Sequence, residues 1–154
     1  MTRFNAIIIL PLILIACAPA QNVTVTEVID GDTVVAQVSS DKAEKVRIVG
    51  IDTPETVDPR KPVQCFGEEA SARMKELAEG KAVTLERKPD EDRDYYGRLL
   101  RYVILDGRDL GAQMISEGYA FSYKRYPHPR LAEYNRLERE ARQQGLGLWS
   151  ECPH

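Results

Sequence analysis

Two short segments concentrate oxygen donors. Asp30-Gly31-Asp32-Thr33 interrupts one β-branched run, and Asp52-Thr53-Pro54-Glu55 directly follows another. Each alone reads as a turn, because Asp-Gly and Thr-Pro are common turn formers. Placed side by side, their carboxylates, with backbone carbonyls and waters, suit a hard cation such as Ca2+. A zinc site is not expected, since the only histidines are His128 and His154 and no two cysteines are close in sequence. Arg47 stands five residues before Asp52 in an otherwise apolar stretch. A half-buried arginine needs a carboxylate or a phosphate as partner. Arg98 follows Tyr96-Gly97 at the start of another apolar stretch. For either arginine alone, a structural ion pair is the plain alternative. Together the set matches the needs of phosphodiester hydrolysis: a cation to polarise the phosphoryl oxygen, a base to orient or deprotonate water, and positive groups to meet transition-state charge. Asp32 and Asp52 suit the first need, Glu55 the second, Arg47 and Arg98 the third.

These residues must be brought together by strands. Residues 23–29 (VTVTEVI) alternate as a half-buried strand, and strand character resumes over 33–38 after the Asp-Gly interruption. A third strand is expected over 45–51 (KVRIVGI), with Val46, Ile48 and Gly50 on one face and Arg47, Val49 and Ile51 on the other. Pro54, Pro59 and Pro62 make residues 53–64 a long loop. A helix over 68–78 offers Ala72, Met74 and Leu77 for packing and stops at Gly80. Strands follow over 82–87 and 98–105, a short helix over 110–117, an aromatic loop over 119–129, and an amphipathic helix over 130–144. Five strands with three helices predict an α+β fold, mainly β: a small closed barrel with helices packed on it. A five-stranded oligonucleotide-binding (OB-fold) barrel is one member of that class.

The chain of 154 residues is long enough for one domain with a real core. With 43% hydrophobic and 29% charged residues, disordered and fibrous classes are excluded. The formal charge of -3 argues against holding nucleic acid by bulk positive charge, but leaves room for a local basic cleft. The N-terminus reads as an export segment, residues 1–20, before a domain over 21–154. Its apolar run after Arg3 is shorter than the roughly 20 residues of a membrane span. Ala18-Pro19-Ala20 fits a conventional cleavage site and a freely secreted product. Leu14-Ile15-Ala16-Cys17 resembles a bacterial lipoprotein box, and is preferred because it explains a cysteine directly after an apolar run. Lipidation at Cys17 would make the protein a cell-envelope lipoprotein, touching the membrane only through that anchor. In an exported chain, Cys65 and Cys152 then read as one disulfide, the alternative being two free thiols.

The ordered motifs V-I-D-G-D-T-V (Val28 to Val34), R-I-V-G-I-D-T-P-E-T (Arg47 to Thr56), F-G-E-E-A-S (Phe66 to Ser71), D-Y-Y-G-R (Asp94 to Arg98) and G-L-W-S (Gly147 to Ser150) resemble the staphylococcal nuclease, or thermonuclease, family. The resemblance covers nearly all of residues 23–151. It implies a five-stranded OB-fold barrel with three helices and a Ca2+ cofactor. It also implies endonuclease and exonuclease action on DNA and RNA with 3′-phosphorylated products. By position, Asp32 and Asp52 match carboxylate ligands of the metal, and Thr53 a ligand through its backbone carbonyl. Asp30 matches a carboxylate beside that site. Glu55 matches the general base, Arg47 and Arg98 the phosphate-binding arginines, and Tyr96 a tyrosine of the nucleotide pocket. Either Tyr123 or Tyr126 is a candidate for stacking on a base. Tyr95 stands where the best-known member has lysine, and that member is strongly basic whereas this chain is mildly acidic. The competing reading is a nucleic-acid-binding OB-fold envelope protein without catalysis, which the complete set of five acidic and arginine residues disfavours. Nothing in the sequence demands more than a monomer.

Overall fold

The computed structural model describes residues 20–56 and 62–153. Residues 1–19 of the export segment with Cys17, residues 57–61 with Pro59, and His154 lie outside the described residues. In chain order come β1 (Gln21–Asp30), β2 (Thr33–Ser39), β3 (Lys42–Ile48), β4 (Ile51–Asp52), α1 (Gly67–Ala78), β5 (Ala82–Arg87) and β6 (Leu99–Leu105). They are followed by β7 (Arg108–Asp109), α2 (Leu110–Ser116), β8 (Phe121–Ser122), α3 (Leu131–Gln143) and α4 (Leu148–Glu151). The sheet runs β3-β2-β1-β5-β6-β7, and a parallel pairing of β3 with β6 closes the first five of these strands into a barrel. This is the expected α+β architecture, a five-stranded barrel carrying three helices of two turns or more.

Alternation makes the barrel. Val34 and Ala36 on β2, Val46 and Ile48 on β3, and Val83 and Leu85 on β5 all point inward and are buried. On β1 the inward residues are Val23, Val25 and then Val28, a step of three rather than two. A register shift between Val25 and Glu27 supplies the extra residue, as a β-bulge does. The helices cap the core with Ala70, Met74 and Leu77 from α1, Met114 and Ile115 from α2, and Tyr134 from α3. Ala72, expected among the packing residues of α1, is exposed; Ala70 and Ala78 take the inward positions.

The third strand is shorter than expected. It ends at Ile48, and Val49, Gly50 and Ile51 are all buried, so the alternation expected through Ile51 fails. Gly50 has φ +81°, a left-handed conformation that turns the chain. A Cβ there would lie 2.4 Å from Cε1 of His128, so the position also needs a bare backbone. The chain then re-enters extended structure as β4, which pairs with β8 inside what reads from sequence as a continuous loop. The four-residue helix α4 is likewise additional. It carries the tail toward Cys152, which forms the expected disulfide with Cys65 (Cα–Cα 5.9 Å). Among the described residues, no helix is long and apolar enough to cross a membrane.

Candidate active site

The turn between β1 and β2 brings the first carboxylates to the end of β3. The Asp32 amide donates to Asp30 Oδ1 (3.0 Å), closing the turn on its own side chain. The Ile48 amide then donates to the Asp32 carbonyl (2.9 Å), which docks the turn beside Arg47. Burial first, and the adjacent Asp32 charge second, push the Asp30 carboxyl up to about 6. Gly31 permits a close approach from the other side. A Cβ on it would stand 2.7 Å from Cγ2 of Thr53.

Asp32 is buried and almost fully engaged. Its Oδ2 accepts from the Thr53 amide (3.1 Å) and hydroxyl (3.3 Å), and its Oδ1 from the Thr33 hydroxyl (3.0 Å). Arg47 Nη2 lies 3.1 Å from Asp32 Oδ2 and 3.4 Å from Asp52 Oδ1. Its Nη1 donates to the carbonyls of Ile48 (2.8 Å) and Ile51 (2.9 Å), so the turn at Gly50 wraps the guanidinium. Arg98 is held by Asp94, whose Oδ2 accepts from Nε at 2.7 Å, and its Nη1 reaches the Thr33 hydroxyl at 3.4 Å. Thr33 thus links Asp32 to Arg98. Glu55 Oε1 accepts from the Thr56 amide (3.0 Å).

All seven residues expected to surround the reacting phosphate meet in one cleft of ≈ 180 Å³: Asp30, Asp32, Arg47, Asp52, Thr53, Glu55 and Arg98, with Pro54. Arg47 and Arg98 also wall a larger neighbouring cavity of ≈ 340 Å³, which Tyr96, Tyr123 and Tyr126 line together with Tyr95 and His128. Each arginine faces a tyrosine: Arg47 sits 5.9 Å from the ring centre of Tyr123, and Arg98 5.5 Å from that of Tyr96. Tyr123 and Tyr126 lie 5.9 Å apart, and the Tyr123 amide is anchored on the Gly50 carbonyl (2.8 Å). Both loop tyrosines therefore border the cavity.

Among the described residues, no group of three His, Cys, Asp or Glu side chains stands together as a metal cage. The oxygen chemistry nevertheless fits a hard cation. Two carboxylates converge closely enough for one guanidinium to meet both. With two side chains in place, a cation there would complete its shell with backbone carbonyl, water and substrate oxygens.

The sequence profile described as "Staphylococcal nuclease homologue" matches residues 45–151. This chain belongs to the staphylococcal nuclease family. Among related proteins, Endonuclease YncB of Bacillus subtilis is 40% identical over 132 residues, covering 84% of this chain and 62% of that protein. The SPbeta prophage-derived endonuclease YokF of the same organism is 37% identical, covering 84% of this chain and 44% of that protein. The Thermonuclease of Staphylococcus hyicus is 35% identical over 134 residues, covering 86% of this chain and 78% of that protein. The chain thus spans less than two thirds of the first Bacillus relative and less than half of the second.

Within this family member, some supporting residues were not singled out from sequence. Asp94 opens the D-Y-Y-G-R motif, yet its role is local: Oδ1 accepts from the amides of Tyr96 (3.0 Å) and Arg98 (2.9 Å), while Oδ2 aims the guanidinium. Asp-initiated turns of this kind are a usable signal. His128 behind the aromatic cavity, and Gln64 beside Glu55, carry no such signal.

Proposed function

We propose that this protein is a Ca2+-dependent nuclease that hydrolyses phosphodiester bonds in DNA and RNA, acting as endonuclease and exonuclease and leaving 3′-phosphorylated products. The observation that carries the reading is the convergence of Asp32, Asp52, Glu55, Arg47 and Arg98 on one small cleft beside a tyrosine-lined cavity. In this reading Asp32, Asp52 and the Thr53 carbonyl hold the cation, with Asp30 beside them. Bound there, Ca2+ would supply Lewis-acid polarisation of a phosphoryl oxygen.

The protein's own residues do the rest. Glu55 orients the attacking water and accepts its proton as the bond to phosphorus forms. The P–O5′ bond breaks, the departing O5′ takes up a proton from solvent to become the 5′-hydroxyl, and phosphate stays on the 3′ side. Arg47 and Arg98 donate to the non-bridging oxygens, whose charge grows in the pentacoordinate transition state. Both are already oriented by ion pairs, so little reorganisation is needed at that moment. Tyr96 borders the nucleotide, and Tyr123 or Tyr126 stacks on its base, a contact worth about 1–3 kcal/mol per base. Stacking and two local arginines suit a chain that lacks the bulk positive charge of a tight nucleic-acid binder.

The reading includes an exported, monomeric protein: a segment over 1–20 removed or lipidated at Cys17, and a nuclease domain over 21–154. The test is incubation of the chain from Gln21 with end-labelled DNA and RNA, with Ca2+ or with chelator, followed by end-group analysis. Cleavage to 3′-phosphate ends only with Ca2+ is expected. Binding without cleavage would favour the inactive nucleic-acid-binding reading instead.

A further inference from the structure

We propose that Gln64 is a positioning residue for Glu55, and that the Cys65–Cys152 disulfide holds Gln64 in that role. The inference rests on the reading of Glu55 as the group that handles the attacking water. Glu55 and Gln64 are joined reciprocally. The Glu55 amide donates to Gln64 Oε1 (2.8 Å), and the Gln64 amide donates to the Glu55 carbonyl (2.9 Å). The Glu55 carboxylate in turn accepts from the next amide, that of Thr56. Its direction is therefore tied to the backbone that Gln64 pins.

Gln64 is itself fixed from its C-terminal side. Its carbonyl accepts from the Gly67 amide (3.0 Å) at the start of α1, and its neighbour Cys65 is bonded to Cys152. Cys152 is well anchored: its amide donates to Leu148, which is buried and whose own amide donates to Gly118. The adjacent Trp149 ring packs edge-on against Phe121 (5.3 Å), and Phe121 is the β8 partner of Asp52. The tail thus braces the cleft twice, behind Asp52 through packing and behind Glu55 through the disulfide and Gln64. Two-electron reduction by a dithiol gives two protein thiols and the oxidised cyclic disulfide. It releases the second brace while leaving Asp32, Asp52, Arg47 and Arg98 untouched.

The experiment is a steady-state comparison on a labelled oligonucleotide with Ca2+, after a thermal melt has established that each variant is folded. Gln64→Leu, which removes the acceptor, is expected to lower kcat about 10- to 100-fold, with KM and half-saturating Ca2+ changed by less than about twofold. Gln64→Glu, which keeps an acceptor, is expected to restore most of the rate. Dithiothreitol lowers kcat of the parent in the same sense. In a Glu55→Ala background neither Gln64→Leu nor the reductant has a further effect. Amide exchange without substrate provides an independent readout: Glu55 and Gln64 lose protection in Gln64→Leu and on reduction, while Thr53 keeps it. Wild-type kcat in Gln64→Leu, an equal loss in the Glu55→Ala background, or unchanged exchange overturns the proposal alone. A parent that does not cleave at all overturns the functional reading, and this positioning role with it.

Discussion

Arg47 meets Asp32 at 3.1 Å and Asp52 at 3.4 Å through the same nitrogen, so one guanidinium offsets the charge of two carboxylates from different elements. Its side chain is only 14% exposed, and the other terminal nitrogen caps two carbonyls. Arg47→Ala should therefore lose stability as well as rate. The expected losses are about 1–3 kcal/mol from groups left unpaired and roughly 10²–10³ in kcat from lost charge stabilisation. The uncompensated carboxylates should also respond more to Ca2+. A melting series should show a larger Ca2+-induced rise in Tm for Arg47→Ala than for the parent. An equal or smaller rise would separate the arginine from the cation site.

Gly31 is the point where two turns touch. A methyl group there would press on Thr53 at 2.7 Å, and Thr53 supplies two hydrogen bonds to Asp32. Gly31→Ala is expected to destabilise by about 1–3 kcal/mol through overpacking and to raise the Ca2+ concentration needed for half-maximal activity. Titrating activity with Ca2+ checks this. An unchanged titration would mean that Thr53 moves without consequence.

Much of this site was legible because its residues sit at element ends with turn chemistry. Asp32 lies in the turn between two extended runs and Asp52 closes another, and Asp-Gly and Thr-Pro label those places in sequence. The break at Gly50 was hidden. Lys45 to Ile51 is apolar enough to read as one strand, and the bare turn is required by the left-handed backbone of Gly50 and by the close passage of His128, neither of which a local pattern shows. The β4–β8 pairing is two residues long and is dictated by tertiary packing, so no local pattern announces it. Glu138 is buried on α3, accepting from the Ser122 amide and pairing with Lys124. Helical spacing places it on the face of Tyr134 and Ala141, but a carboxylate is ordinarily left to solvent, and only its tertiary partners explain the burial. Gln64 was silent for the same reason: its partner, Glu55, is chosen by loop closure.

His128 should make stability depend on pH. Burial, then the nearby Lys88 and Arg130 charges, hold its pKa below the ordinary 6.5, with Asp109 opposing. Tyr102 bonds its Nδ1 at 3.1 Å, and the Tyr134 ring packs beside it. The folded state thus favours neutral imidazole, while the unfolded chain takes up a proton near pH 6.5. This contribution is complete above that pH and is lost as the pH falls below it. Urea midpoints between pH 7.5 and pH 5 should fall less steeply in His128→Gln than in the parent. Parallel curves would contradict the assignment.

The disulfide closes a separation of 87 residues. On the chain-entropy account such a loop contributes about 4–5 kcal/mol. The paired variant Cys65→Ser/Cys152→Ser should show a correspondingly lower urea midpoint, insensitive to reductant. A midpoint equal to that of the oxidised parent would remove the cross-link from the stability of the fold.

The most direct test of the catalytic account is single-turnover cleavage of one labelled oligonucleotide, with saturating Ca2+, by the parent, Glu55→Ala and Arg98→Ala. Ca2+-dependent cleavage by the parent is expected. Losses of at least about 10²-fold are expected in each variant, with circular dichroism retained. Parent-like rates in both variants, or a parent rate indifferent to chelator, would contradict it.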